Sequence, residues 1–414
     1  MEKLIGNAVV GQSGGPTAAI NATLAGVISG ALASPFVNTV YGMRNGIEGM
    51  LAERFVELNS IFGDAEKLDA LKHTPAAALG SCRKKLPNPD SDKAEDIAVY
   101  EKIFEIFKKY DIRYFFYIGG NDSMDTVAKI SKYAEKKSYE IRVMGVPKTI
   151  DNDLVATDHT PGFGSAAKYV ATTLTEIVRD CAVYTTKAVT IVEVMGRDAG
   201  WLTTAAGVGA FIGVEAPDLV YLPEREFSME GFFADLENAF AKHPNIVVAV
   251  SEGIRFADGR YVGEGTQTGS TDVFGHKYLA GTAKALELAV KEKLGCKVRS
   301  VEFNISQRCA AHVASKTDLS ESVCVGREAV RAAANGVSCE MMTIVRDNTS
   351  PYAYHIDHSD VAKIANQVKK VPLHFINKRG NHVTRACADY LLPLIAGEAQ
   401  PTYEKGLPQF FVID

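Results

Sequence analysis

No Cys-x-x-Cys pair occurs in this 414-residue chain, and its seven cysteines, at 82, 181, 296, 309, 324, 339 and 387, are scattered. That spacing argues against a zinc cluster or a disulfide framework and leaves reduced thiols in a cytoplasmic protein as the expectation. No apolar run approaches the roughly 20 residues of a spanning helix, so no membrane partner is expected. The net charge is only −5, which gives no bulk attraction to nucleic acid or an anionic surface; any basic site must be local. Repeats and low-complexity segments are missing too. The amino end, Met1-Glu2-Lys3-Leu4, runs straight into a strand-like segment and does not read as a signal peptide.

What is present is the composition of a globular protein, 46% hydrophobic and 23% charged. The length exceeds one ordinary core, so two or more domains are expected. Strand-like runs at 7–11, 37–41, 113–118, 139–145, 188–195, 219–222, 246–250, 298–303 and 341–345 alternate with helical patterns. The helices are predicted at 17–32, 95–109, 166–179, 229–242 and 278–293. Such alternation predicts an α/β fold with helices layered on parallel sheets. The Gly-, Thr- and Asp-rich stretch 257–273 is the most loop-like.

In open parallel sheets ligands bind beyond the carboxyl ends of the strands, and the notable motifs fall at such ends. Ser13-Gly14-Gly15-Pro16 opens a helix after the first strand. It is either a tight turn or a phosphate cradle built from backbone N–H groups and a helix start. Gly119-Gly120-Asn121-Asp122-Ser123 repeats the geometry, with an Asp/Ser helix cap as the plain alternative. Lys148-Thr149-Ile150-Asp151-Asn152-Asp153 places a cation, a hydroxyl and two carboxylates in six residues. These are solvated turn residues, or else a base, a Mg²⁺-steering carboxylate and a charge-stabilising lysine for phosphoryl transfer. Met195-Gly196-Arg197 offers a guanidinium shaped for phosphate. Glu252 could accept from a sugar hydroxyl; Arg299 and Gln307-Arg308 flank the strand around Phe303. His312, four residues past Arg308, is either a packing residue or faces the same site.

Taken together, Gly14-Gly15, Gly119-Gly120-x-Asp122-Ser123, Thr149-Ile150-Asp151-Asn152-Asp153, Met195-Gly196-Arg197, Ser251-Glu252-Gly253 and Gln307-Arg308 stand in the order and spacing of the phosphofructokinase family. The chain resembles its pyrophosphate-dependent branch, the diphosphate–fructose-6-phosphate 1-phosphotransferases, because ATP users generally carry glycine at the positions of Asp122 and Lys148. The resemblance implies two Rossmann-like three-layer domains with parallel-rich sheets, the phosphofructokinase fold, and a site in the interdomain cleft. Residues 1–162 plus about 308–370 would form the pyrophosphate domain, and 163–307 plus about 371–414 the sugar-phosphate domain.

It implies a reversible, Mg²⁺-dependent reaction of pyrophosphate with fructose 6-phosphate, giving fructose 1,6-bisphosphate and phosphate, in a homodimer or homotetramer. Asp151 would be the general base for the sugar 1-hydroxyl and Asp153 its assistant. Lys148 would stabilise the moving phosphoryl group, and Asp122 would exclude ATP. Gly14 would offer a backbone N–H to pyrophosphate beside Gly15. Thr149, Met195, Gly196, Arg197, Glu252 and Arg308 would hold the sugar phosphate, Arg299 would grip its 6-phosphate, and His312 or Tyr403 could fill in. Asn121, Asp122 and Asp151 would serve the metal.

Three positions depart from the pattern: Asn121 replaces an Asp, Ile305 a Tyr or His, and Ala188 an arginine that reaches a neighbouring subunit, with Lys187 beside it. The rivals are an ATP-dependent phosphofructokinase and a non-catalytic regulatory subunit of the same fold.

Overall fold

Continuous apolar runs make the strands, as sheets covered on both faces require. The computed structural model describes residues 3–264 and 281–413. Its strands are β1 (Gly6–Gln12), β2 (Val37–Met43), β3 (Phe55–Glu57), β4 (Ile112–Gly119), β5 (Arg142–Pro147), β6 (Ala188–Val194), β7 (Leu219–Tyr221), β8 (Asn245–Ser251), β9 (Lys297–Glu302), β10 (Glu340–Thr349) and β11 (Tyr352–Asp360). The larger sheet has seven strands in the order β11-β10-β5-β4-β1-β2-β3, and the smaller four, β7-β8-β6-β9. The smaller sheet is all parallel; in the larger only the edge strands β3 and β11 run antiparallel to their neighbours.

The main helices are α1 (Ile20–Leu32), α2 (Ala94–Lys109), α3 (Asn121–Lys136), α4 (Phe163–Cys181), α5 (Met229–Phe240), α6 (Thr282–Leu294), α7 (Lys316–Ala334) and α8 (Arg385–Leu391). They cover both faces of each sheet. Leu24, Phe116, Ile118 and Val325 pack one face of the larger sheet; Phe107, Phe115, Tyr117 and Ile130 pack the other. Val192, Val194, Leu202 and Leu174 pack one side of the smaller sheet, and Ile191, Val248, Leu236 and Leu286 the other. Val371, Phe375 and Leu391 join the smaller core, whereas the tail returns to the larger one through Phe411 and Ile413.

Two strands differ from expectation. The strand expected at 139–145 begins at Arg142 and continues through Val146 and Pro147. Tyr139 lies outside it because its hydroxyl is tied to the Phe107 and Ile112 carbonyls. The strand expected to end at 345 runs on to Thr349 and pairs with β11, which the sequence reading missed. β11 is an edge strand with no fully buried residue, so it lacks the apolar run that marks the others. The expected loop 257–273 and the start of the helix expected at 278–293 fall partly outside the described residues; α6 itself begins at Thr282.

Candidate active site

The carboxyl ends of β1, β4, β5, β6 and β8 converge on one cleft of about 490 Å³ between the two sheets. After β1 the chain turns at Gly14, whose φ of +75° suits glycine. Gly14 N–H donates to the Cys82 carbonyl at 3.2 Å, and Ser81 Oγ donates to the Gly14 carbonyl at 2.6 Å. The N–H expected to serve pyrophosphate is therefore already engaged. The Gly15 N–H makes no hydrogen bond among the described residues and is the better donor.

β4 ends in Gly119, where a Cβ would come within 1.8 Å of Ser123 Oγ, and α3 begins at once. Its first residue, Asn121, donates Nδ2 to the Gln367 carbonyl at 2.9 Å, while its buried Oδ1 has no partner among the described residues. Asp122 pairs with Lys85 at 2.9 Å. Acidic residues in the first turn favour the positive end of the helix dipole.

Lys148 follows β5 directly. Its side chain is buried, and Nζ donates to the Gly15 carbonyl at 2.7 Å. Burial lowers its pKa to about 8, against the attraction of Asp151. Thr149 Oγ1 accepts from the Asp151 N–H at 3.1 Å and lies 3.3 Å from Asp151 Oδ2. Burial raises the pKa of both Asp151 and Asp153; Thr149, Lys148 and Arg197 restrain Asp151, while Asp151 itself raises Asp153 further. Both side chains keep part of their surface open to the cleft, so water moderates the rise until a substrate displaces it.

On the other wall, Gly196 N–H donates to Glu252 Oε1 at 3.2 Å, and Ser251 Oγ donates to the Gly196 carbonyl at 2.5 Å. Gly253 is needed because a Cβ there would lie 2.0 Å from the Arg197 carbonyl. Burial pushes Glu252 up to about 8 despite the Gly196 N–H. Arg308 spans the cleft: a Cβ on Gly15 would lie 3.2 Å from its Nη1. The buried Nε atoms of Arg197 and Arg308 have no acceptor among the described residues. Arg197, Arg308, Lys148 and the Gly15 N–H thus face a space lined by Asp122, Asp151 and Asp153, a setting for a polyanion whose phosphoryl group is moved.

The structure gathers Gly14, Gly15, Asn121, Asp122, Lys148, Thr149, Asp151, Asp153, Met195, Arg197, Glu252 and Arg308 around that cleft, with Gly196 held at its edge by Glu252. It does not bring in Arg299, which lies in β9 opposite Thr190 and lines a small separate cavity with Tyr184 and Ala188. Nor does His312 enter. The helix carrying Arg308 stops at Cys309, Ala310 takes φ −77° and ψ 71°, and the following 3-10 turn exposes His312. The four-residue spacing therefore carries no helical register. Lys187 lies over the Phe240 ring; Tyr403 is exposed and does not line this cleft, so it does not fill the gap left by Ile305.

Arg83, Lys85, Asn366 and Val368 also line the cleft and were missed. The basic run Arg83-Lys84-Lys85 just after Gly80-Ser81 was a usable signal for the first two. Among the described residues no group of three or more His, Cys, Asp or Glu could cage a metal ion. A Mg²⁺ ion needs fewer protein ligands when it arrives with phosphates. The orphaned Asn121 Oδ1 beside Asp122 suits that role.

The family model described as phosphofructokinase matches residues 7–333. The chain is 43% identical over 411 residues, 98% of its length and 96% of the relative's, to the pyrophosphate–fructose 6-phosphate 1-phosphotransferase of Methylococcus capsulatus. Its fold matches solved structures of pyrophosphate-dependent phosphofructokinases from Nitrosospira multiformis and Marinobacter aquaeolei. The first has a TM-score of 0.88 at 38% identity, covering 98% of this chain and 96% of that one. The second has a TM-score of 0.85 at 39% identity, covering 98% and 95%.

Proposed function

The chain belongs to the phosphofructokinase family, and we propose that it transfers a phosphoryl group reversibly from pyrophosphate to the 1-hydroxyl of fructose 6-phosphate. The observation that carries this reading is the Lys148 ammonium, 2.7 Å from the Gly15 carbonyl and in the same cleft as Asp151 and Asp122. It puts a cation at the donor side of the base, where charge builds in the transition state.

Asp151 takes the proton of the sugar hydroxyl; its raised pKa makes it a stronger base than a free carboxylate. Lys148, Arg197 and Arg308 offset charge on the transferring group, and the Gly15 N–H and Arg83 hold the donor. Asp122 occupies the place a third phosphate and nucleoside would need and repels them. Asn121, Asp122 and Asp151 would hold Mg²⁺, which neutralises pyrophosphate charge when bound. Glu252 and the Gly196 turn orient the sugar. Arg299 lies outside the cleft of its own chain, so a grip of Arg299 on the 6-phosphate requires a second copy, as in a homodimer or homotetramer.

The division near residues 162, 307 and 370 serves as the proposed domain boundary, with the last residues returned to the pyrophosphate side. No helix among the described residues is long and apolar enough to cross a membrane. The scattered, unpaired cysteines support a cytoplasmic protein.

The test is formation of the sugar bisphosphate from fructose 6-phosphate with either pyrophosphate or ATP, with and without Mg²⁺. Turnover with pyrophosphate that chelation abolishes is expected; turnover with ATP alone would overturn the reading. Running sedoheptulose 7-phosphate alongside decides the sugar range.

A further inference from the structure

The family match ends at residue 333, yet residues beyond it hold the loop that carries Asp151. That loop is not held by local preference alone: Ala156 takes φ of +65°, a left-handed value uncommon outside Gly, Asn and Asp, and Asn152 before it takes +51°. Asp158 N–H donates to the Ile344 carbonyl of β10 at 2.8 Å, and Arg346 Nε and Nη2 grip Asp158 Oδ1 at 3.1 and 3.0 Å.

The most connected support is Lys369. Its ammonium donates to Asn152 Oδ1 at 3.1 Å, to the Thr157 carbonyl at 3.1 Å and to the Asp158 carbonyl at 2.8 Å, using all three donors. Its backbone N–H donates to the Asp153 carbonyl at 2.7 Å. Its own carbonyl accepts from Trp201 Nε1–H at 2.8 Å. Two residues on, Val371 N–H donates to Glu224 Oε1, the atom that also holds Gly200 N–H. Gln367 in the same strap accepts from Asn121. One residue thus joins the base loop to the smaller core, while its neighbours Asn366 and Val368 line the cleft and Lys369 itself does not.

Lys369 is partly exposed; drawing its ammonium this far from water is costly unless its donors are used, and an apolar side chain of similar length would cost less. That expense is explained if the lysine fixes a geometry. We propose that Lys369 is a positioning residue for the phosphoryl transfer, clamping the 151–158 loop against Trp201 so that Asp151 meets the sugar hydroxyl in line with the donor. The proposal rests on the function given above for this cleft.

The experiment is steady-state kinetics of full-length Lys369→Met and Trp201→Phe, with circular dichroism to confirm folding. The wild type is first assayed with pyrophosphate and with ATP, and the variants are read with whichever donor it uses. A wild type that uses ATP would sink the pyrophosphate reading without touching this one. Lys369→Met is expected to lose about 10- to 100-fold in kcat, as a misplaced catalytic group does, with both KM values within about threefold. Trp201→Phe should lose kcat in the same direction by less. A folded Lys369→Met with unchanged kcat, or with raised KM and unchanged kcat, overturns the proposal. Should Lys369→Met not fold, unchanged kcat in Trp201→Phe overturns it instead.

Discussion

Lys85 Nζ lies 2.9 Å from Asp122 Oδ1, so a cation from the 80–85 loop faces the carboxylate that stands at the start of α3. Both side chains are substantially exposed, and such a pair adds little to stability. Its effect is on charge in the donor half of the cleft. Asp122 excludes a nucleotide by volume and sign, and Lys85 keeps it from repelling pyrophosphate as strongly.

Asp122→Gly should therefore admit ATP. Its KM for ATP is expected to fall by about tenfold or more, a gain of roughly 1.4 kcal/mol in binding, while turnover with pyrophosphate declines. Thermal stability should barely change. If ATP affinity does not improve, the steric and electrostatic account of donor choice is wrong.

Asp151 is the group whose loss should touch chemistry most and binding least. Asp151→Ser removes the proton acceptor but leaves Lys148, Arg197 and Arg308 in place, so kcat should fall by about 10²–10⁴-fold. Calorimetry should show fructose 6-phosphate still binding within a few-fold of the wild type. Unchanged turnover would strip Asp151 of its role as base.

The parts of the site that were legible share one cause. Gly14, Gly119, Lys148 and Gly196 each interrupt or directly follow an apolar run, so the end of a strand and the start of chemistry coincide in the sequence. Arg83 and Lys85 sit in a loop that only tertiary contact, Gly14 to Cys82, brings to the cleft. Lys369 lies more than 200 residues from the loop it holds, and no local pattern encodes that meeting. His312 is the opposite case: its four-residue offset from Arg308 crosses Ala310, where the backbone leaves the helix, so the two share no face. β11 escaped because an edge strand can be polar on both sides.

His159 supplies a pH prediction. It is buried between Asp158, at 2.7 Å from Nδ1, and Glu321, at 2.6 Å from Nε2, with Arg346 behind Asp158 and the Tyr352 hydroxyl on Glu321. Burial alone would lower its pKa, but the two carboxylates prevail and push it up to about 9. The folded value lies above the ordinary one near 6.5. Its stabilisation is thus complete below about pH 6.5 and is lost as the pH climbs through about 9. Urea unfolding of wild type and His159→Gln should show the widest gap near pH 6 and a narrowing one towards pH 9.5. A gap independent of pH would mean the imidazole is not charged there.

Gly326 in α7 offers a test of how tightly the frame holds the site. A Cβ there would sit 2.2 Å from the Thr23 carbonyl and 2.7 Å from Val27 N, and one on Gly26 would sit 2.2 Å from the Val323 carbonyl. The obstacles are backbone, so α1 and α7 must separate. Alanine brings back about 1 kcal/mol of helix propensity, but forced overpacking costs about 1–3 kcal/mol or more, so Gly326→Ala should destabilise. Gly231 near the start of α5 is the control, since its Cβ would meet only Ser228 at 3.7 Å; Gly231→Ala should leave the unfolding midpoint unchanged or raise it. The strain at Gly326 should also reach the chemistry. α7 carries Asp318, whose carboxylate accepts the Gly162 and Ser165 N–H groups at 2.8 and 2.9 Å, and Glu321, which holds His159. Shifting α7 moves the far end of the loop that presents Asp151. Gly326→Ala should thus lose kcat even below its melting temperature, whereas equal kcat with a lowered midpoint would show that the base loop is insulated from the α1–α7 contact.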